Sequence, residues 1–260
     1  MGHSDKLEGI DRRKKILEYL ETHKKATPKE MASQFLVSEM TIRRDFHYLE
    51  EIGVADIHYG GATLRNEKLL LPSFSKRDTK DNLCKTAIGR MAASYVKEWD
   101  TIFLDVSSTV FQILRFLPDI HLKIITNSMP IIERLHLNPK VTLFVAPGVY
   151  NTDMAGTADL STLNYIKKFH ADKAFIGAMA CNLNFGVSSS NEVESAIKYQ
   201  MWKNSDCSFL MVDHTKFLSS GPVFQNELSD FSYILTDSDI DEELTIKIKR
   251  KNEQLIICNV

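Results

Sequence analysis

The sequence predicts an α/β protein in two unequal parts: a small N-terminal module of short helices closed by a hairpin, then a larger, mainly parallel sheet domain covered by helices. Two observations carry that reading. From about residue 81, short β-rich apolar runs alternate with helical stretches, and continuous apolar strands alternating with helices imply a parallel sheet buried on both faces. Residues 11–62 instead read as capped helices followed by a Gly-Gly turn.

In the N-terminal module the first helix is expected over 11–23, where Ile16, Leu17 and Leu20 make an apolar stripe at helical spacing. Arg12, Arg13, Lys14 and Lys15 would then fill its first turn, where cations oppose the helix dipole. Contact with a phosphate would account for them, and so would a solvated basic end. Thr27-Pro28 opens a second helix, with Thr27 as N-cap and Pro28 at the first helical position. Met31, Ala32 and Phe35 point inward, Leu36-Val37 forms the turn, and Ser38 caps a third helix over about 39–51. Ile42, Phe46 and Leu49 share the core face of that helix, and Met40, Arg43, Arg44 and His47 lie around the opposite side. A capped helix that shows cations away from the core fits a major-groove recognition helix. Arginine can bond the edge of a guanine or clamp a phosphate. A plain surface helix with two arginines is the competing reading. Gly53 stops the helix, and VADIHYGGA follows, with Gly60-Gly61 for a tight turn. A short hairpin behind a helix-turn-helix is a winged arrangement.

The expected strands of the second part are TIFLD, LKIIT, VTLFV, KAFIGA, CSFLMVD, FSYILTD and QLIIC. The stretches STVFQILRFL, SMPIIERLHL, LSTLNYIKKF, NEVESAIKYQMW and DEELTIKIKRK are the expected helices between them. Residues 63–80 have no clean period and contain a proline, which reads as a linker. The expected organisation is therefore a module over 1–62, a linker over 63–80 and a sheet domain over 81–260.

Composition sets limits on function. The 260 residues carry 32 Lys+Arg against 34 Asp+Glu, a formal net charge of -2. That excludes a uniformly basic DNA coat but not a local basic patch. Residues 11–65 hold ten Lys+Arg against nine Asp+Glu. One copy is thus expected to bind nucleic acid weakly, and a homo-oligomer, dimer or tetramer, to supply the rest through effective concentration. No apolar run reaches the ~18 residues of a membrane span, and the N-terminus lacks the apolar segment of a signal peptide. Cys84, Cys181, Cys207 and Cys258 show no metal-ligand or redox spacing. They are expected as free thiols in a reducing cytoplasm, with no metal and no cofactor.

At this point the residues resemble a known family. The stretch ATPKEMASQFLVSEMTIRRDFHYLEEIGVADIHYGGA is similar to the winged helix-turn-helix of DeoR-type bacterial transcription regulators. The family pattern has Val-Ser, two variable residues, Thr-Ile-Arg-Arg-Asp, a leucine, and a His-Gly-Gly-Ala wing. Here it reads Val37, Ser38, Thr41, Ile42, Arg43, Arg44, Asp45, Phe46 and Tyr59-Gly60-Gly61-Ala62. Ile57 stands where the family usually has a wing arginine, with Asp56 beside it. The resemblance implies a double-stranded DNA operator as partner, contacted by Ser38, Met40, Thr41, Arg43, Arg44, His47, Tyr59 and Gly60.

The resemblance continues over about residues 11–258. The second part resembles the family's effector domain, a fold akin to ribose-5-phosphate isomerase and glucosamine-6-phosphate deaminase. It implies a repressor of carbohydrate-metabolism genes that responds to a small phosphorylated metabolite. Ligands in such sheets bind beyond the carboxyl ends of strands, and three strand ends carry candidate groups. Asp105, Ser107, Ser108 and Thr109 follow the first strand; a hydroxyl-rich turn there can hold a phosphate, or simply cap the next helix. Thr126, Asn127 and Ser128 match the family's Thr-Asn-Ser and read equally as a capping turn. Asp213-His214-Thr215-Lys216-Phe217 is close to the family's Asp-His-Ser-Lys-Phe. Lys216 offers a point charge for a phosphate or carboxylate, and His214 a structural hydrogen bond. Gly177 and the pair Glu194 and Lys198 complete the set, although Glu194 and Lys198 also stand in the favourable order for a surface pair.

Three departures fall in the phosphate-site motifs: Ser107 for a glycine, Ala146-Pro147-Gly148 for a Gly-Gly pair, and MACNLNFGVSS for a glycine-flanked loop. The ligand is therefore expected to differ from a typical sugar phosphate, or to bind more weakly. The competing function is a sugar-phosphate isomerase or deaminase, which needs a positioned general base. Asp105, Glu194 and Asp213 are the available carboxylates, and none sits in a recognisable catalytic motif, so no catalytic residue is assigned.

Overall fold

A computed structural model describes residues 4–23, 25–51, 55–58, 60–64, 74–79 and 82–260. The chain divides into two compact units, Met1–Leu70 and Leu71–Val260.

The first unit runs α1 (Ser4–His23), β1 (Lys25–Ala26), α2 (Pro28–Phe35), α3 (Glu39–Glu51), β2 (Ala55–His58) and β3 (Gly61–Leu64). Local chemistry sets the helix starts. Thr27 accepts the Glu30 N–H while the Glu30 carboxylate accepts the Thr27 N–H, a reciprocal cap with Pro28 in the first turn. Ser38 Oγ accepts the Thr41 N–H at 3.2 Å and so starts α3. Ile16, Leu20, Met31, Ile42, Phe46 and Leu49 form the buried core. The wing is an antiparallel sheet in the order β1-β3-β2. Gly61 has φ 144, and a Cβ there would stand 2.1 Å from the Ala26 carbonyl oxygen, so this strand pairing requires glycine.

Two expectations change in this unit. The first helix begins at Ser4 rather than residue 11, and passes through Gly9. Propagating a helix backwards from a packed segment is cheap once its nucleus exists. Arg12 and Arg13 consequently lie two turns inside the helix, clear of its positive end. They do not wait for phosphate: their Nε atoms donate to the two oxygens of buried Asp45 on α3, at 2.6 and 2.7 Å.

The second unit runs α4 (Phe74–Thr79), α5 (Asn82–Ala93), β4 (Thr101–Leu104), α6 (Ser108–Phe111), β5 (Leu122–Thr126), α7 (Met129–Leu135), β6 (Val141–Val145), β7 (Tyr150–Asn151), β8 (Gly156–Thr157) and α8 (Leu160–Ile166). It continues with β9 (Ala171–Ile176), β10 (Ala180–Asn182), β11 (Gly186–Ser189), α9 (Glu192–Lys203), β12 (Ser205–Met211), β13 (Val223–Asn226), β14 (Tyr233–Asp237), α10 (Glu242–Lys249) and β15 (Leu255–Cys258). Seven strands form one sheet in the order β15-β14-β12-β9-β4-β5-β6, and every pairing in it is parallel. Each of the seven expected strand runs occupies one of these strands. Successive side chains alternate between two cores. Phe103, Ile125, Ile176 and Leu210 face one, and Leu104, Ile124, Phe175 and Phe209 face the other. Each such side chain stabilises the fold by about 1.5–3 kcal/mol.

The linker expectation over 63–80 is corrected at both described ends: β3 runs to Leu64, and Phe74–Thr79 is helix. Six residues are too few to show a period, and tertiary contacts hold α4 instead. Phe74 meets the Phe111 ring edge-on at 5.6 Å, and Asp78 Oδ1 accepts Gln112 Nε2 at 2.6 Å. The segment MACNLNFGVSS forms the hairpin β10-β11, to which β13 adds antiparallel. Asn182 Oδ1 accepts the Asn184 and Phe185 N–H groups at its tip, and Gly186 takes φ 84.

Candidate functional site

The first candidate surface is α3. Ser38, Met40, Arg43, Arg44 and His47 are exposed, and Thr41 is half-buried. Ile42, Phe46 and Leu49 anchor the opposite face in the core. Arg43 and Arg44 make no ion pair and no hydrogen bond among the described residues. His47 Nδ1 lies 3.5 Å from Glu50 Oε2. Arg43 and His47 share a cleft with Ile57, His58 and Gly61 of the wing. Gly60 is exposed at the wing turn, and Tyr59 lies outside the described residues. Ile57, in place of a wing cation, packs against the core. His58 is exposed, with Nε2 3.0 Å from Thr63 Oγ1. A lone histidine in a short strand carries no sequence signal of its own.

The second candidate lies at the carboxyl ends of β12, β9, β4 and β5, four successive neighbours in the sheet. Asp213 follows β12, Gly177 follows β9, Asp105 to Thr109 follow β4, and Thr126 to Ser128 end β5. The fold thus gathers segments more than a hundred residues apart into one row.

At its centre is a buried charge cluster. The Asp105 carboxylate accepts the N–H groups of Ser107 at 2.8 Å and Gly177 at 2.9 Å, and faces Lys198 Nζ at 3.3 Å. Lys198 Nζ also meets Glu194 Oε1 at 2.9 Å and donates to the Gly177 carbonyl at 3.1 Å. Glu194 accepts the N–H and the hydroxyl of Ser190. The surface-pair reading of Glu194 and Lys198 therefore fails: both are buried, with side chains 5% and 4% exposed. Burial works against the Lys198 ammonium, but Glu194 and Asp105 outweigh it and hold its pKa above the ordinary value. Burial pushes Glu194 up, and Lys198 with Ser190 outweighs that, so its carboxyl sits below the usual range. Burial dominates at Asp105 and pushes its carboxyl up, against Lys198 and the two N–H groups.

Arg77 on α4 completes the charge balance. Burial draws its pKa down, while Glu194, Asp105 and Asp153 act on it the other way. Its Nη2 also donates to the Asp153 carbonyl at 3.1 Å. Sequence reading missed Arg77 because it fell inside the expected linker.

Around this cluster the hydroxyl-bearing residues divide. Ser107 caps α6, accepting the Thr109 N–H at 3.2 Å, and buried Ser108 and Thr109 head that helix. A Cβ on Gly177 would meet Ser107 Oγ at 2.2 Å, so glycine there makes room for the serine. Thr126 Oγ1 donates to the Leu104 carbonyl at 2.7 Å and accepts the Ser128 N–H, an internal brace. Asn127 Nδ2 donates to the Thr157 carbonyl at 2.7 Å. Asn127 Oδ1, Ser128 Oγ and Asp213 Oδ2 are buried and have no hydrogen-bond partner among the described residues. Lys216 is half-buried and makes no ion pair among them. Burial pushes the Cys181 thiol up to about 12, while Lys216 and Lys198 pull it down and Asp213 raises it. His214 makes the structural bond expected of it, Nδ1 to Asp237 Oδ1 at 2.7 Å.

A winged helix-turn-helix with exposed cations, carried on the same chain as a parallel sheet with polar groups at its strand ends, defines a DNA-binding regulator with a sensor domain. Comparison with known proteins gives the family. The model of the DeoR-like helix-turn-helix domain matches residues 12–68, and that of the DeoR C terminal sensor domain matches residues 81–238. The chain is 31% identical to the uncharacterized HTH-type transcriptional regulator YulB of Bacillus subtilis, over 89% of this chain and 90% of that one. It is 26% identical to the HTH-type transcriptional repressor GlcR of the same organism, over 93% of each chain. It is also 26% identical to the glycerol-3-phosphate regulon repressor of Haemophilus influenzae, over 95% of this chain and 96% of that one. Among solved structures, the sorbitol operon regulator SorC of Klebsiella pneumoniae is 14% identical over 91% of this chain and 98% of that one, with a TM-score of 0.39. Ribose 5-phosphate isomerase A of Methanocaldococcus jannaschii is 16% identical over 53% and 55%, also with a TM-score of 0.39. The chain belongs to the DeoR family of transcription regulators. It is a DNA-binding transcriptional regulator, and the enzyme alternative is not favoured. No helix among the described residues is long and apolar enough to cross a membrane.

Proposed function

We propose that this regulator represses carbohydrate-metabolism genes from the cytoplasm as a homo-oligomer, and that a small phosphorylated metabolite sets its hold on operator DNA. Residues 1–62 would bind DNA and residues 81–260 would sense and oligomerise, with α4 serving the sensor side. The names of relatives such as the GlcR repressor and the glycerol-3-phosphate regulon repressor support this reading. The observation that carries it for DNA is a pair of exposed arginines on a capped helix, without an ion pair among the described residues. Arg43→Ala and Arg44→Ala should each weaken operator binding by about 1–3 kcal/mol if the residue reads a base. Fluorescence anisotropy with the gene's own upstream duplex measures this. Wild-type affinity in both variants would remove α3 from the groove.

For the effector, the supporting observation is the set of buried polar atoms on Asn127, Ser128 and Asp213 that have no partner among the described residues, with the Lys216 N–H bonded to the Asp213 carbonyl at 3.0 Å. Each such atom costs about 1–3 kcal/mol when left without a partner, and sugar hydroxyls would supply partners. Lys216 would take the phosphate. Asp105, Glu194, Lys198 and Thr126 are engaged with one another or with backbone, so their share is to fix the floor of the site. Gly177 supplies clearance there, and Ser107, Ser108 and Thr109 cap the adjoining helix. Calorimetric titration with a panel of phosphorylated sugars tests the reading. Lys216→Ala should lose effector binding and leave operator binding unchanged. An intact effector response in a reporter strain would take Lys216 out of the site.

A further inference from the structure

We propose a divalent transition-metal site, of the zinc class, formed by Cys84, His214, Asp237 and Asp239. The four side chains come from three separate segments: α5, the turn after β12, and the end of β14. Their donor atoms all lie within 4.8 Å of one another. Cys84 and Asp237 are buried, His214 is half-buried and Asp239 is exposed, which leaves a path for the ion from solvent.

The spacing suits a small cation. Cys84 Sγ stands 3.6 Å from Asp239 Oδ2, and His214 Nδ1 stands 2.7 Å from Asp237 Oδ1. Zinc bonds of about 2.0–2.3 Å place tetrahedral donors roughly 3.3–3.8 Å apart. The observed set reaches that by side-chain movements of about 1 Å. Outer contacts already orient the carboxylate: Asp237 Oδ2 accepts the His214 N–H at 2.8 Å, and Oδ1 accepts the Asp239 N–H at 3.1 Å.

Donor chemistry selects the ion. A thiolate and an imidazole disfavour magnesium and calcium, and two carboxylates disfavour copper(I), which leaves borderline divalent ions such as zinc, cobalt and iron. On binding, Cys84 releases its thiol proton to solvent and coordinates as thiolate. His214 coordinates as neutral imidazole, its ring proton moving to the other nitrogen. The ion would fasten the turn that carries Lys216 to α5 and β14. Residue spacing gave no hint, because the donors stand at 84, 214, 237 and 239.

The test uses the full-length, chelator-treated protein with zinc chloride in calorimetry and cobalt chloride in absorption spectroscopy. One equivalent of each should bind, and cobalt should give a thiolate-to-metal charge-transfer band. Cys84→Ser should abolish that band. Asp239→Asn, at an exposed position that leaves folding intact, should weaken zinc binding about tenfold or more. Absence of stoichiometric binding, a band that survives in Cys84→Ser, or an unchanged zinc affinity in Asp239→Asn would each overturn the site.

Discussion

Asp45→Asn is expected to unfold the DNA-binding unit well before the sensor unit. Asp45 sits on α3 between Arg44 and Phe46, with its side chain 2% exposed. Both carboxylate oxygens hold a guanidinium of α1, Arg12 and Arg13, and Arg13 also lies over the Tyr48 ring at 4.0 Å. Breaking a buried pair by removing one partner costs about 3–5 kcal/mol. Here the arginines keep 16% and 29% exposure and recover some hydration, so about 2–3 kcal/mol is the expectation. A unit of this size has little stability to lose. A shift of that order moves a small domain's melting temperature by roughly 10 °C or more. Scanning calorimetry should show one transition moved down and the sensor transition unmoved. Operator affinity should fall as well, although Asp45 faces the core, because the tie that sets α3 against α1 is gone. An unshifted first transition would show that the two ion pairs contribute nothing net.

That same contact marks the limit of what the residues reveal in order. Signals confined to a few neighbouring positions were legible. The cap at Thr27 and Pro28, the Ser38 cap, the 3.6-residue stripe of α3 and the seven apolar runs all act within one element, and each appears where it was expected. Three of the four strand-end segments were legible too, because a parallel sheet brings carboxyl ends to one side whatever their order, while Gly177 fell inside an expected strand run. Burial and long-range pairing were not. Arg12 and Arg13 read as phosphate contacts or as a solvated basic end because nothing in residues 11–23 points to a carboxylate some thirty positions away. Glu194 and Lys198 have the spacing of a surface pair, and spacing alone does not say which helix face meets Asp105. Arg77 was hidden by a helix too short to show a period. The hairpin β10-β11 was missed because its turn is set by the Asn182 side chain and Gly186, not by a Gly-rich loop.

Lys198→Met should produce the largest loss in the sensor unit. The substitution keeps length and removes the ammonium that faces both Asp105 and Glu194, leaving the two carboxylates buried with Arg77 as a cation that interacts with each. Stranding buried charge in this way costs about 3–5 kcal/mol. The pH dependence separates this cause from a mere packing defect. In the wild type, Lys198 has a folded pKa above 10.5, so its stabilisation is complete below that value and lost as pH rises through the folded one. Glu194 has a folded pKa below 4.5, so its share is present above 4.5 and lost as pH falls through the folded one. Asp105, raised by burial, runs the other way and gains stability as pH falls. Without Lys198 both carboxyls should shift upward, and the folded variant then binds protons more readily than its unfolded chain. Its stability should therefore rise on acidification while the Glu194 contribution of the wild type declines, and the deficit between them should shrink. Urea unfolding followed by Trp99 and Trp202, both in this unit, reads the difference at mildly acidic and mildly alkaline pH. A deficit of the same size at both would mean that Lys198 contributes through packing of its stem, not through its charge.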